Sequence, residues 1–189
     1  MEQRITFPIN EATARGLRAG DTVRVNGVIY TGRDAAHMRL VELLKEGKPL
    51  PIDLNGQAIY YVGPSPAPPG RPVGSAGPTT SGRMDVYTPP LLALGLRAMI
   101  GKGSRHPEVV EAMRRHGAVY LVCVGGAAAL LARSITASEV VAFPDLGPEA
   151  IHRFTVSDFP TIVAIDSEGE DYYARGVAEY RSQVRAGRG

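Results

Sequence analysis

The sequence predicts an α/β fold with mixed strands rather than a regular alternating wind. Three observations carry this reading. Apolar, β-prone runs are interspersed with helical segments, as where Val119–Val124 leads through Gly125-Gly126 into AAALLARS at 127–134. An Asn26-Gly27 pair joins the β runs Thr22–Val25 and Val28–Tyr30, the signal of a hairpin whose two central residues take positive φ. Six prolines and four glycines in the sixteen residues from Gly63 to Pro78 interrupt any simple βαβ rhythm.

In chain order, Arg4–Ile9 reads as the first strand, and Asn10 caps a short helical turn through Arg15. Gly20-Asp21 turns the chain into the expected hairpin. Thr31 and Asp34 have the spacing of a capping box, or Asp34 caps directly, before a helix over Ala35–Glu46. Ala36, Met38, Val41 and Leu44 give that helix its apolar stripe, and Gly47-Lys48-Pro49 ends it. Ala58–Val62 is a strand. The Pro/Gly stretch 63–78 is either a flexible linker or a functional loop that orders when a partner docks. Thr88-Pro89 and His106-Pro107 each open a helix, with proline at the first helical position. Val119–Val124 is a strand buried on both faces. Val140–Phe143 and Thr161–Asp166 are further strands, with a helix starting at Pro148 between them. The basic tail 181–189 is expected to fray.

The totals exclude several classes. Twenty-one Lys and Arg against nineteen Asp and Glu leave a net charge of +2, too balanced for a nucleic-acid footprint. One cysteine, Cys123 in VYLVCV, rules out an internal disulfide framework and reads as a small buried hydrophobe. It cannot ligate an iron–sulfur cluster by itself. The four histidines show no metal-ligand pairing. MEQRITFPIN lacks the apolar run of a signal peptide, and no window has the length of a membrane helix, so a soluble cytoplasmic protein is expected. The length suits one domain over 1–189, or one subunit of something larger.

The chain is organised around Gly77–Gly103. Thr79, Thr80, Ser81 and Gly82 precede Arg83 and Asp85, and a short apolar helix leads to Gly101-Lys102-Gly103. Hydroxyls, an arginine and a lysine between glycines suit a small carboxylate or phosphate. The competing reading is a turn, a capped helix and a second turn with solvated charges. Arg33, just ahead of a helix N-terminus, is either an anion contact or the partner of a surface acid. A P-loop is excluded, because GxxxxGK[ST] is not met around Lys102. VGGAAALL lacks GxGxxG, so small residues for close helix–sheet packing explain it better than a dinucleotide.

Together three motifs resemble one family: VNGVIYTGRDAAHMRL at 25–40, GPTTSGRMDVYTPPLL at 77–92 with MIGKG at 99–103, and VGGAAALL at 124–131 with DFP at 158–160. They are similar to the β subunit, or C-terminal domain, of class I iron–sulfur-dependent fumarate hydratases and L(+)-tartrate dehydratases. The similarity runs over nearly the whole chain. It implies a swivelling three-layer β/β/α domain, with a central parallel sheet and a second antiparallel one. It also implies a separate α subunit carrying a [4Fe–4S] cluster, the assembly being a homodimer or a heterotetramer. The implied reaction is reversible hydration of fumarate to L-malate, or dehydration of tartrate to oxaloacetate, and these motifs do not separate the two. A non-catalytic binding module on the same fold is the third alternative. Arg33 of TGRD and Arg83 of TSGR match the family's substrate-binding arginines. Lys102 of GKG matches its active-site lysine. Thr79 of GPTT matches the threonine assigned as base, with Thr80 adjacent. Asp34, Asp85 and His37 read as caps or supports of those residues.

Overall fold

The protein is described by a computed structural model over residues 2–186. Strand β1 (Glu2–Phe7) runs parallel to β2 (Thr22–Thr31), with helix α1 (Glu11–Gly16) between them. Asn10 caps α1 as the sequence predicts, its side chain accepting from Thr13 N at 2.8 Å. There is no hairpin at Asn26-Gly27. The chain runs straight through it as one ten-residue strand, because β2 is flanked by β1 and by a long antiparallel strand. Of the pair only Gly27 takes positive φ, at 87°. It forms a bulge, marked by a register shift between Val25 and Gly27. A Cβ at Gly27 would stand 2.4 Å from the Phe7 carbonyl oxygen, so glycine permits the close approach of β1. The Asn26 side chain accepts from Asp158 N at 2.9 Å, which ties the bulge to the opposite strand.

The chain continues through α2 (Asp34–Lys45), β3 (Ala58–Tyr60), a 3-10 turn at Ser81–Met84, α3 (Thr88–Ala93), β4 (Ala98–Gly101), α4 (Pro107–His116) and β5 (Val119–Val122). It ends with α5 (Ala128–Ala132), β6 (Ile135–Ala142), β7 (Ile151–Ile165) and α6 (Tyr172–Ala186). Strand order is β1-β2-β3-β4-β5-β7-β6, and β7 also pairs with β2. The first five strands are parallel to their neighbours. β7 is antiparallel to β2, β5 and β6. It therefore folds the antiparallel part of the sheet back over the parallel part.

Alternation along the parallel strands builds two cores. Tyr60, Ile100 and Leu121 face Phe154, Phe159 and Val163 of β7. Ile59, Met99 and Tyr120 face Leu40 of α2, Leu91 and Leu92 of α3 and Met113 of α4. The layers are antiparallel strands, parallel strands and helices, in agreement with the β/β/α expectation.

Pro148 does not start a helix. Pro144–Glu149 is a 3-10 segment broken at Gly147, and Ile151 already begins β7. The strand expected at Thr161–Asp166 is only the last third of a fifteen-residue strand. Its first half alternates buried Ile151, Phe154 and Val156 with polar neighbours, a half-buried pattern that the polar residues obscured. Residues 181–186 continue α6, with Asp171 Oδ1 accepting from Tyr173 N and Ala174 N at the helix start. The expectation for 187–189 lies outside the described residues. The Pro/Gly stretch is a loop pinned at both ends. Ser65 N donates to Ser75 O at 2.9 Å, and the buried Tyr60 hydroxyl donates to Ala76 O at 2.6 Å.

Candidate functional site

All four candidate residues lie where the parallel strands end, the edge at which open α/β sheets place ligands. Arg33 follows β2 by two residues and is the N-cap of α2. Thr79 N donates to Tyr61 O at 2.7 Å, one residue past β3. Lys102 directly follows β4, and its N–H donates to Thr79 O at 3.3 Å. Ser81 N returns a bond to Lys102 O at 2.9 Å, and Thr80 pairs with Lys102 as a parallel bridge. The TTSGR segment thus lies as an added strand beside GKG. Thr79 is half-buried, while Thr80, Arg83 and Lys102 are exposed.

The arginines are held by carboxylates. Arg83 makes a two-pronged contact with Asp34, Nε to Oδ1 at 2.9 Å and Nη2 to Oδ2 at 2.8 Å. Arg33 Nη2 lies 3.5 Å from Glu149 Oε1 and its Nε 3.9 Å from Asp34 Oδ2. Glu149 Oε2 accepts from Ala35 N at 3.1 Å. The N-terminus of α2 therefore already holds an anion supplied by the chain itself. The capping box expected from Thr31 and Asp34 does not form: the Thr31 hydroxyl donates to Ala150 O and accepts from His152 N, binding β2 to β7. Gly63 packs on Arg33, and a Cβ there would sit 3.1 Å from Arg33 Nη1.

His37 and Asp85 support this surface from beneath. His37 is fully buried and its Nδ1 lies 2.9 Å from Arg33 O. A carbonyl only accepts, so Nδ1 carries the proton of the neutral ring. Burial pushes the imidazole down to about 4. A histidine whose folded pKa lies below its unfolded value near 6.5 binds fewer protons folded than unfolded between those limits. Its contribution is complete above pH 6.5 and is lost as pH falls towards 4. Between pH 7 and pH 5 the wild type is expected to lose about 2 kcal/mol more stability than a His37→Gln variant. Denaturant titrations at both pH values check this; equal losses would remove His37 as the cause.

The residues that sequence reasoning missed are Glu149, Tyr61, Tyr120 and Arg105. Arg105 is buried, with Nε 2.6 Å from Asp85 Oδ1. Asp85 Oδ2 accepts from His106 N at 2.7 Å at the start of α4. Local sequence around Arg105 carries no burial signal, since arginine is ordinarily exposed. Lys102 borders a groove of about 300 Å³ that also touches Cys123, Val124, Tyr172 and Tyr173. A larger groove of about 450 Å³ along Leu44, Leu50 and Ile52 lies apart from these residues and gathers no comparable set of cations. Cys123 is buried, and burial pushes its thiol up to about 12. Among the described residues no group of three or more His, Cys, Asp or Glu is placed to hold a metal ion. Nor, among them, is any helix long and apolar enough to cross a membrane.

This arrangement has relatives. The profile of the family described as Fumarase C-terminus matches residues 2–176, and the chain belongs to that family. It is 46% identical over 151 residues to the Escherichia coli K12 protein named "Fumarate hydratase class I, anaerobic", covering 79% of this chain and 28% of that protein. It is 40% identical over 161 residues to "Fumarate hydratase 2" of Leishmania major, covering 84% of this chain and 28% of that protein. The chain thus spans about 28% of the length of these two relatives. With the Methanocaldococcus jannaschii protein named "Putative L(+)-tartrate dehydratase subunit beta" it shares 41% identity over 171 residues, covering 87% of this chain and 88% of that protein.

Proposed function

We propose that this chain is the β subunit of a heteromeric class I fumarate hydratase. In this reading it carries one wall of a dicarboxylate site that a larger α subunit completes. The observation that carries this is the meeting of Arg33, Thr79, Arg83 and Lys102 at one edge of the parallel layer. The near full-length match to a protein named as a subunit beta supports a separate chain rather than a fused domain. The open, cation-bearing surface supports a partner as the missing wall.

Each residue has a role on this reading. Arg83 uses Nε and Nη2 on Asp34, which leaves Nη1 to bind one substrate carboxylate. Arg33 binds the other, its guanidinium held in place by Glu149 and Gly63. Thr79 Oγ1, as the alkoxide, takes the carbon-bound proton in dehydration, and as the hydroxyl it returns that proton in hydration. An aliphatic hydroxyl needs a neighbouring cation to stabilise its alkoxide, and Lys102, paired with this segment through the backbone, is the cation at hand. The [4Fe–4S] cluster implied by the family does not fit the residues present here: the one cysteine is buried and its thiol protonated. No step is assigned through it on this chain, and its ligands are proposed to belong to the α subunit.

A second reading, tartrate as substrate, rests on the Methanocaldococcus jannaschii relative. Anaerobic co-expression with the α subunit, then assay on malate, fumarate and tartrate, tests both. Malate turnover that needs both subunits supports the first reading, and turnover only on tartrate the second. No turnover on any, with an intact cluster, overturns both. In the active complex, Thr79→Ala is expected to lower kcat by about 10²–10⁴-fold, the usual span for a general base, and Thr80→Ala by much less. The reverse order would move the base to Thr80.

A further inference from the structure

Beneath the candidate site lies a buried cation with no place in the roles above. The Arg105 side chain is 0% exposed and that of its partner Asp85 2%. Besides the Asp85 contact, Nη2 donates to Thr88 Oγ1 at 3.0 Å and Nη1 to the Tyr61 hydroxyl at 3.4 Å. Its guanidinium carbon lies 5.3 Å from the Tyr61 ring centre and 5.1 Å from that of Tyr120.

Three of these four partners lead to a segment that bears a candidate residue. Tyr61 supplies the carbonyl that anchors Thr79 N. The Tyr120 hydroxyl bonds both Ser81 Oγ at 2.8 Å and Gly103 O at 2.9 Å, joining the threonine segment to the lysine loop. Asp85 N donates to Gly82 O, closing the turn that contains Arg83. His37, bonded to Arg33 O, packs edge-on against Tyr61 with ring centres 5.2 Å apart. A buried ion pair is a poor device for stability alone, because apolar residues of similar volume often serve as well. This one packs against Tyr61 and Tyr120, two aromatic residues of the helix-side core.

We propose that Arg105 is a positioning residue: with Tyr120 it fixes the spacing between the Thr79–Arg83 segment and Lys102. The inference rests on the dicarboxylate reading for its effect on rate, but its effect on local structure stands apart from that reading.

Two variants in the co-expressed complex test it. Arg105→Lys keeps the cation but loses the planar fork that reaches Asp85, Thr88 and Tyr61 together. Tyr120→Phe removes only the hydroxyl. Each is expected to lower kcat per folded enzyme on the order of 10–100-fold, well below its melting temperature, with a smaller change in KM. Each should also speed amide exchange at Ser81 and Lys102 while β5 and β7 keep wild-type protection. Wild-type kcat in both variants would overturn the proposal, as would exchange that stays unchanged at those two amides or rises evenly across the sheet. Should the wild-type complex turn over none of the dicarboxylates, the substrate reading fails and the exchange measurement alone decides the role of Arg105.

Discussion

On the proposed dicarboxylate reading, Arg83→Ala in the α/β complex is expected to lower kcat/KM by about 30-fold to several thousand-fold. The range follows from the loss of one partner in a desolvated charge pair, about 2–5 kcal/mol, at about 1.4 kcal/mol per tenfold. The loss should appear without a folding defect. Arg83 is 50% exposed and Asp34 32%, and a pair of that exposure contributes about 0–1 kcal/mol to stability. Arg83→Lys restores charge but not the fork, so it should recover only part of the activity. Asp34→Asn gives a complementary result. It frees the edge of Arg83 that now faces Asp34 and should raise KM through lost orientation, with kcat less affected. Wild-type kcat/KM in Arg83→Ala would take Arg83 out of the substrate site. A large fall in melting temperature would instead make it a structural residue.

Which parts of this molecule could be read in its sequence follows from how local their causes are. Helix starts at Asn10 and His106-Pro107 rest on a cap or a fixed proline φ within one turn of chain, and both appear as expected. The strand at Val119–Val122 is apolar on both faces because it has a layer on each side, and continuous hydrophobicity reveals that. Asn26-Gly27 misled because the same glycine conformation serves a hairpin or a bulge. The choice was made by β1 and β7, which are distant in sequence. The first half of β7 was hidden for a related reason: its polar residues face outward on a strand fixed by tertiary pairing. At the site, Arg33, Thr79, Arg83 and Lys102 stood out by motif and resemblance. That Glu149 would occupy the end of α2 could not be seen, since it arrives from 114 residues away. Arg105 was equally silent, because only Tyr61, Tyr120 and Asp85, drawn together by the fold, make an arginine tolerable there.

Asp85→Ala is expected to be the most destabilising single change near the site. It leaves the Arg105 guanidinium buried without its counterion, and it strips the His106 amide at the start of α4 of its acceptor. Breaking one side of a buried pair costs about 3–5 kcal/mol. For a chain of this size that corresponds to a fall in Tm of roughly 6–20 °C. The contrast with Asp34 makes the argument testable, because both aspartates face an arginine at similar distance. The Asp34–Arg83 pair is partly wet, so either partner can be rehydrated when the other is removed, and Asp34→Ala should move Tm by only a few degrees. Arg105 has no such recourse, because Tyr61, Thr88 and Tyr120 close over it. Asp85→Asn keeps one acceptor oxygen, for either Arg105 Nε or His106 N but not both, and loses the charge; it should fall between the two. Thermal melts of the three variants in one buffer decide the matter. Equal shifts for Asp34→Ala and Asp85→Ala would mean that water reaches Arg105. The buried pair could then not be what holds the threonine segment against the lysine loop.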